Sequence, residues 1–339
     1  MARRASVFGL AVVATMSLSL PGGAWAWGST GHRLIGVVGA QALPAEIPAF
    51  LRTPEAGWDI GELAREPDRS KGAGDPHDAD LNPGHFLDLD DAGTIAGGPT
   101  LDSLPPTREA YEAALHDKGT DGFKQGYLPY SLMEGWQQLA KDFAYWRVTD
   151  WAAVHGTTET ERAWMARDRR LREQLIVRDL GYWAHFVGDD SQPLHVTIHY
   201  DGWGPFANPD GFTTDRVHAA FEGAFVRANV TADDVRAKLS PYQDCTCSIA
   251  RMTAQYLQST LDQVKPFYAL QKAGGFKDGD PRGRAFAAER LAAGASELRD
   301  MVVDAWRASA TLSVGYPPVL PADVEAGKVD ALGPLQGED

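Results

Sequence analysis

The sequence predicts an all-α protein with a single mostly helical domain, and helical periodicity is the main observation behind that prediction. Apolar residues recur at three- and four-residue spacing in five long stretches. These stretches are 130–146, 171–187, 218–228, 249–270 and 282–311. Alternating strand patterns with hairpin signals are scarce, which favours helices over sheet.

The first residues have the features of a cleavable signal peptide. A basic start that includes Arg3 and Arg4 precedes an apolar run over 7–20, and the small-x-small pattern 24–26 follows. The apolar run is too short for a permanent membrane-spanning helix, which needs about 20 apolar residues. We therefore predict that residues 1–26 are removed and that a secreted or periplasmic protein begins at Trp27.

The rest of the chain divides into a domain and a tail. The helical patterns fill residues 27–312, and no internal repeat is evident. Residues 313–339 are acidic and contain Pro and Gly, which predicts an extended or poorly ordered tail.

Charge and cysteine content exclude two classes of protein. The formal net charge of −14 argues against a broad basic surface for nucleic acid, so any attraction for phosphate has to be local. The chain has two cysteines, Cys245 and Cys247, which cannot form a disulfide framework. A bond within so short a loop would be strained, and the sequence leaves their redox state open.

Two pairs of residues at helical spacing are candidate metal ligands. His185 and Asp189 are four residues apart at the end of the helix that the 171–187 pattern predicts, which places both side chains on one face of that helix. Pro193 ends that helix, and His195 follows directly. His218 and Glu222 repeat the spacing. Imidazole with carboxylate is the ligand mixture of hydrolytic zinc sites, although a solvated salt bridge is the alternative for each pair taken alone.

Four segments together resemble a known family. They are Trp-Gly-Ser-Thr-Gly-His at 27–32, Ala-Arg-Glu-Pro-Asp at 64–68, Gly-His-Phe-Leu-Asp at 84–88 and His-Phe-Val-Gly-Asp-Asp-Ser-Gln-Pro-Leu-His at 185–195. The residue types in these segments, and the order of the segments along the chain, are similar to those of the type I zinc-dependent single-strand-specific nucleases. That family shares a fold with zinc phospholipase C. The resemblance extends from Trp27 to about residue 226, and it implies a metal cluster in a cleft between helices.

The resemblance implies three Zn²⁺ ions and assigns their ligands. One ion would be held by the amine and carbonyl of Trp27 with His32, a second by Asp68, His85 and His185 with Asp189 shared between the two, and a third by His195, His218 and Glu222. Glu222 stands where the nucleases usually have Asp, and a glutamate there resembles the phospholipase C branch.

The resemblance also assigns catalytic and substrate-binding residues. Asp68 and Lys71 are the catalytic candidates, and Lys71 stands where the nucleases place an arginine near the phosphate. Phe86 would stack on a nucleobase and Asp88 would bind a base edge. The alternative is that Phe86 is a core residue and Asp88 orients a histidine. Four further histidines are predicted to be solvated or to support ligands: His77, His116, His155 and His199.

These observations predict a zinc-dependent hydrolase of phosphoric esters. The leading hypothesis is an endonuclease that cleaves single-stranded DNA or RNA to 5′-phosphorylated products, acting as a monomer with no stable protein partner. A phospholipase C-like enzyme is the alternative, favoured by Glu222 and by Trp203, Phe206 and Phe212 in the loop 201–214. A third hypothesis is a non-catalytic zinc-binding protein.

Overall fold

The computed structural model describes residues 27–71, 73–74 and 76–337. Within these ranges every regular element is helical, and strand-like pairing is limited to isolated bridges such as Leu89 with Ile95. The all-α prediction is therefore confirmed. The predicted signal peptide, residues 1–26, lies outside the described residues.

The helices are numbered in chain order. The α-helices are α1 (Ser29–Gln41), α2 (Pro54–Leu63), α3 (Glu66–Arg69), α4 (His77–Leu81), α5 (Arg108–His116), α6 (Gly122–Gln125), α7 (Leu128–His155), α8 (Glu159–Asp190), α9 (Val226–Asn229), α10 (Ala232–Arg236), α11 (Ile249–Leu261), α12 (Val264–Lys272), α13 (Pro281–Ala308), α14 (Pro321–Glu325) and α15 (Leu332–Gln336). Short 3₁₀ helices cover Ala49–Arg52, Asn82–His85, Leu101–Ser103, Pro193–His195 and Ser309–Thr311, and a π-helix covers Ala220–Phe225.

Helices α1, α7, α8 and α13 form the core of the domain. A three-residue loop joins α7 to α8, so the two helices pack along their length as a hairpin. Thr158 and Glu161 form a capping box that satisfies backbone donors where α8 begins. Helices α1 and α13 pack on each other and on α8, and α2 packs on α1 and α8. The last turns of α8 are consequently enclosed by other helices.

Two glycines allow this close approach at the end of α8. A Cβ added at Gly181 would lie 2.5 Å from Leu63 Cβ on α2, a distance that real Cβ atoms do not tolerate. A Cβ at Gly188 would lie 3.1 Å from His32 Nδ1 on α1. Gly188 therefore leaves room for an imidazole ring directly against α8.

The helical pattern over 249–270 is interrupted in the structure. Helix α11 ends at Leu261 and α12 begins at Val264, with Pro266 in its first turn. Proline lacks the N–H that a continuous helix would need, but it is tolerated in a first turn, so the chain starts a new helix there. The pattern over 218–228 is likewise divided between the π-helix and α9.

The prediction of an extended or poorly ordered tail is wrong for its described part. Val314, Val319 and Val324 are buried in a small apolar cluster against Ala144 and Val148 of α7. Helix α14 packs on the same face of α7. The composition of the tail does not reveal this packing. Its valines are widely spaced among Pro and Gly and show no helical period, although each one buries apolar surface.

None of the helices in the described part of the chain is both long enough and apolar enough to cross a membrane.

Candidate metal centre

Eight predicted ligand side chains converge around the end of α8. They form three groups, which are His32, His185 and Asp189; Asp68, His85 and His185; and His195, His218 and Glu222. All eight side chains are buried. They come from α1, α3, α8, two 3₁₀ helices and the helical segment that begins at His218. His185 belongs to two of the groups, so the first two groups are adjacent.

The distances between these groups suit ligands that share an ion. His32 Nε2 lies 3.5 Å from Asp189 Oδ1, and His185 Nε2 lies 3.3 Å from Asp189 Oδ2. His185 Nε2 and His85 Nε2 lie 3.9 and 4.0 Å from Asp68 Oδ1. These separations exceed those of ordinary hydrogen bonds. Two ligands of one tetrahedral ion, each about 2.0–2.1 Å from it, lie roughly 3.4 Å apart.

Backbone carbonyls orient three of the histidines. His185 Nδ1 lies 2.8 Å from the carbonyl oxygen of Ala64, and His195 Nδ1 lies 2.6 Å from that of His85. His85 Nδ1 lies 3.2 Å from the carbonyl oxygen of Leu81. Because a carbonyl oxygen can only accept, each Nδ1 carries the proton and each Nε2 presents a lone pair to the centre.

Most of the ligand atoms of the first two groups have no hydrogen-bond partner among the described residues. Within the described residues, Nε2 of His32, His85 and His185 and both carboxylate oxygens of Asp189 are buried without a hydrogen bond. Burial is the largest cause that lowers the pKa of His32, His85 and His185 well below its ordinary value, so all three rings are neutral. Neutral, deprotonated nitrogen is the form that binds metal, so these residues fit a metal ion.

The carboxylates of the centre differ in their electrostatic environment. Burial, followed by the charge of Asp68, raises the pKa of Asp189 well above its ordinary value. Burial also opposes ionisation of Glu222, but His218 and His195 outweigh it and lower the Glu222 pKa. Asp189 is therefore the carboxylate that most requires a cation to ionise.

Trp27 is the first described residue, and it lies beside the centre. Its indole Nε1 donates to Ser191 Oγ at 2.8 Å, two residues after Asp189, and its side chain is fully buried. A Cβ at Gly28 would lie 3.1 Å from the main-chain oxygen of Glu222. The chain at Trp27 is thus held between the end of α8 and the π-helix, while a free amine at Trp27 depends on processing outside the described residues.

A carboxylate that sequence reasoning missed positions the third group. Asp201 Oδ1 accepts hydrogen bonds from the main-chain N–H groups of Val217 and His218, at 2.9 and 3.0 Å. Those contacts cap the start of the helical segment that carries His218 and Glu222. Within that segment, His218 Nε2 lies 2.8 Å from Glu222 Oε2. The turn-forming composition of 201–214 is consistent with this role, but it does not identify the residue.

We expect Asp201→Ala to weaken metal binding at the third group by about 10–100-fold, the usual effect of losing a residue that orients a ligand. The reason is that His218 loses the contacts that fix its main chain. Metal titration followed by calorimetry would measure the loss. Asp215→Ala, which removes an exposed carboxylate from the same loop, is the control and should titrate like the original protein. Identical titration of both variants would contradict the positioning role of Asp201.

A cavity of about 260 Å³ opens beside the candidate metal ligands. Its walls include three of those ligands together with Phe86 and Asp88. Tyr200 and Lys124 line it too, and sequence reasoning missed both because they lie in no motif. Lys71 Nζ lies 2.7 Å from Asp68 Oδ1, so positive charge reaches the second group directly.

Asp88 is a carboxyl in the wall of this cavity whose pKa is raised. Burial raises its pKa from 3.8 to about 7. Between those values the folded protein keeps a proton that the unfolded chain releases, so stability falls as the pH rises from about 4 to 7. Asparagine does not titrate, so this contribution is absent from Asp88→Asn. Between about pH 4 and 7, the unfolding free energy of the metal-free variant should therefore fall by about 2–4 kcal/mol less than that of the original metal-free protein. Denaturant unfolding from pH 4 to 8 would measure it, and parallel pH profiles of the two proteins would contradict it.

Three of the four remaining histidines are solvated, as predicted. His77, His116 and His155 are exposed. The prediction that His199 is solvated is wrong, because its ring is buried, stacks on Trp203 at a centroid distance of 3.7 Å and places Nε2 3.1 Å from Asp91 Oδ1. As expected, His199 belongs to none of the three candidate metal-binding groups.

Two of the three loop aromatics are also turned inward. Trp203 and Phe212 are buried and pack against Tyr268, while Phe206 is 42% exposed. The loop 201–214 therefore presents a single large aromatic ring to solvent.

Comparison of the chain with family models, curated proteins and solved structures gives no match. The site is therefore defined by its own geometry, which provides three buried groups of His, Asp and Glu side chains able to bind metal ions.

Proposed function

We propose that the chain is a zinc-dependent phosphodiesterase with three Zn²⁺ ions, and that its substrate is single-stranded DNA or RNA. The observation that carries the proposal is the convergence of unpartnered ligand atoms beside a cavity that contains Phe86 and Asp88. The proposal agrees with the resemblance of segments 27–32 and 185–195 to the type I zinc nucleases.

Bound zinc would supply a hydroxide nucleophile near neutral pH and positive charge for the phosphate oxygens. Asp68, Asp189 and Glu222 bring three carboxylates, which cannot neutralise three divalent ions. The loaded centre would therefore attract phosphate although the net charge of the chain is −14.

The residues around the centre have distinct roles in this proposal. Lys71 is poised to contact a phosphate oxygen, because its ammonium already lies within the second group. Phe86 offers a ring on which an unpaired base stacks, and Asp88 offers a carboxyl for a base edge. The cavity volume suits about one nucleotide, which favours a substrate whose bases are unpaired.

A phospholipase C-like activity is the second candidate, and Glu222 is the observation that favours it. Its other motivation is weaker, because Trp203 and Phe212 are buried and cannot contact a lipid directly. The third candidate, a non-catalytic zinc-binding protein, would bind the ions without turnover.

One side-by-side assay separates the three candidates. The zinc-loaded protein beginning at Trp27 is incubated with a single-stranded oligonucleotide and with phosphatidylcholine vesicles, each with and without a chelator. We expect chelator-sensitive cleavage of the oligonucleotide that leaves 5′-phosphates, with the vesicles intact. Cleavage of the vesicles alone would support the phospholipase, and zinc binding without cleavage of either substrate would support the third candidate. Either result would overturn the nuclease proposal.

A further inference from the structure

The two cysteines form a second chemical feature, far along the chain from the metal ligands. Cys245 and Cys247 are joined by a disulfide in the segment between α10 and α11, closing a loop around Thr246. Thr246 has φ +47°, a left-handed conformation that a β-branched residue adopts only under constraint. The disulfide loop and a hydrogen bond from the Thr246 N–H to Asp244 Oδ1, at 2.9 Å, hold this conformation. Reduction of the disulfide would release part of the constraint, so this bond should be reduced more readily than an unstrained one.

The two sulfurs differ in their surroundings. Cys247 is exposed, whereas Cys245 is partly buried and lines a cavity of about 370 Å³. The same cavity is lined by Asp244, Glu297 and Asp300. An incoming thiolate therefore meets Cys247 first. The sulfur that leaves is Cys245, among acidic groups that disfavour a thiolate.

Glu297 is suited to supply the proton that this leaving sulfur needs. Burial, with Asp300 and Asp304 adding to it and Arg299 opposing it, raises the Glu297 pKa to about 8. The groups that face Glu297 from other elements are Asp190 at the end of α8, Tyr256 on α11 and Asp244 in the cysteine segment. None of these three groups is basic, so they do not lower the pKa of Glu297, which keeps its proton at neutral pH.

We propose that Cys245 and Cys247 form a thiol–disulfide exchange site that oxidises dithiols on exposed peptide segments. A substrate thiolate attacks Cys247 Sγ and forms a mixed disulfide. The Cys247–Cys245 bond breaks, and its electron pair goes to Cys245 Sγ, which is protonated by Glu297 through the cavity. The second substrate thiol then attacks the substrate sulfur of the mixed disulfide and releases Cys247 as a thiol. The substrate loses two electrons to become a disulfide, and the chain gains two thiols.

The test uses the zinc-loaded protein and a synthetic Cys-Gly-Gly-Cys peptide as the dithiol. Mass spectrometry after alkylation should show two new thiols per chain and one oxidised peptide for each chain reduced. Zinc content is measured before and after, so that loss of metal is not mistaken for exchange. A disulfide that persists in excess peptide would overturn the proposal.

Two pairs of variants test the assigned roles. With oxidised glutathione as the probe, Cys245→Ser should form a mixed disulfide through Cys247 about tenfold faster than Cys247→Ser does through the partly buried Cys245. With the dithiol peptide at pH 6.5, Glu297→Gln should slow reduction about tenfold, and the difference should vanish above the Glu297 pKa. Glu289→Gln, which alters an exposed acid on the same helix, should leave the rate unchanged. Equal rates within either pair would contradict the role that it tests.

Discussion

An Asp189→Asn variant is expected to lose zinc from the first two groups and to lose about 10³-fold or more in kcat/KM on single-stranded nucleic acid. Asp189 places one carboxylate oxygen 3.5 Å from His32 Nε2 and the other 3.3 Å from His185 Nε2. The amide of asparagine offers one neutral oxygen, whereas the first two groups each need an oxygen of the charged carboxylate. Metal analysis by mass spectrometry and steady-state kinetics would measure both losses.

The same substitution is expected to stabilise the metal-free protein. Both Asp189 oxygens are buried without a hydrogen bond to any residue that the structure describes, which is costly for an ionisable group. Replacing the carboxyl by a neutral amide should therefore raise the unfolding free energy at neutral pH by about 1–3 kcal/mol. A gain in stability combined with a loss of metal distinguishes a functional residue from a structural one.

Asp190→Asn is the matched control for this prediction. Asp190 is equally buried, and its oxygens also lack hydrogen bonds, but it belongs to none of the three groups. It should gain stability in the same way and retain its zinc and its activity. The account of Asp189 would be contradicted if both variants kept their zinc, or if both lost it.

A chain that retains residues before Trp27 is expected to lose one zinc ion and most of its activity. The proposal assigns the free amine and the carbonyl of Trp27 to the first ion, and an acylated amine cannot bind it. The position of Trp27 is fixed by its buried side chain and by Gly28, which lies against the main chain of Glu222.

Two proteins test the role of Trp27, one that begins at Trp27 and one that carries a single additional alanine. Zinc per chain and the cleavage rate are compared after identical loading. The extended protein should bind two ions. Equal zinc content and equal rates would remove Trp27 from the site and leave the eight side-chain ligands in place.

The sequence pattern alone could predict those ligands that lie close together in the chain, on one helix or directly after it. His185 and Asp189 share a face because their spacing matches a helical turn, and Pro193 does begin a new 3₁₀ helix that carries His195. His32 and Asp68 could not be predicted in this way. Their position depends on how α1, α2 and α3 pack against α8, so only the family resemblance indicated them.

The groups that support the ligands left no signal in the sequence. The carbonyl oxygens of Ala64 and His85, which set two histidine tautomers, belong to the main chain and are independent of residue type. Tyr200 and Lys124 reach the cavity through the path of loops rather than through a periodic pattern. The burial of the tail was missed for a related reason, because it depends on α7 offering an apolar face.

Anomalous diffraction shows directly whether the three groups bind three zinc ions. Crystals of the zinc-loaded protein beginning at Trp27 are measured at the zinc absorption edge. We expect three peaks, each about 2.0–2.2 Å from histidine nitrogen or carboxylate oxygen, with two of them beside Asp189 and one between His195, His218 and Glu222. A map without peaks among these residues, or with zinc at the protein surface alone, would contradict this expectation.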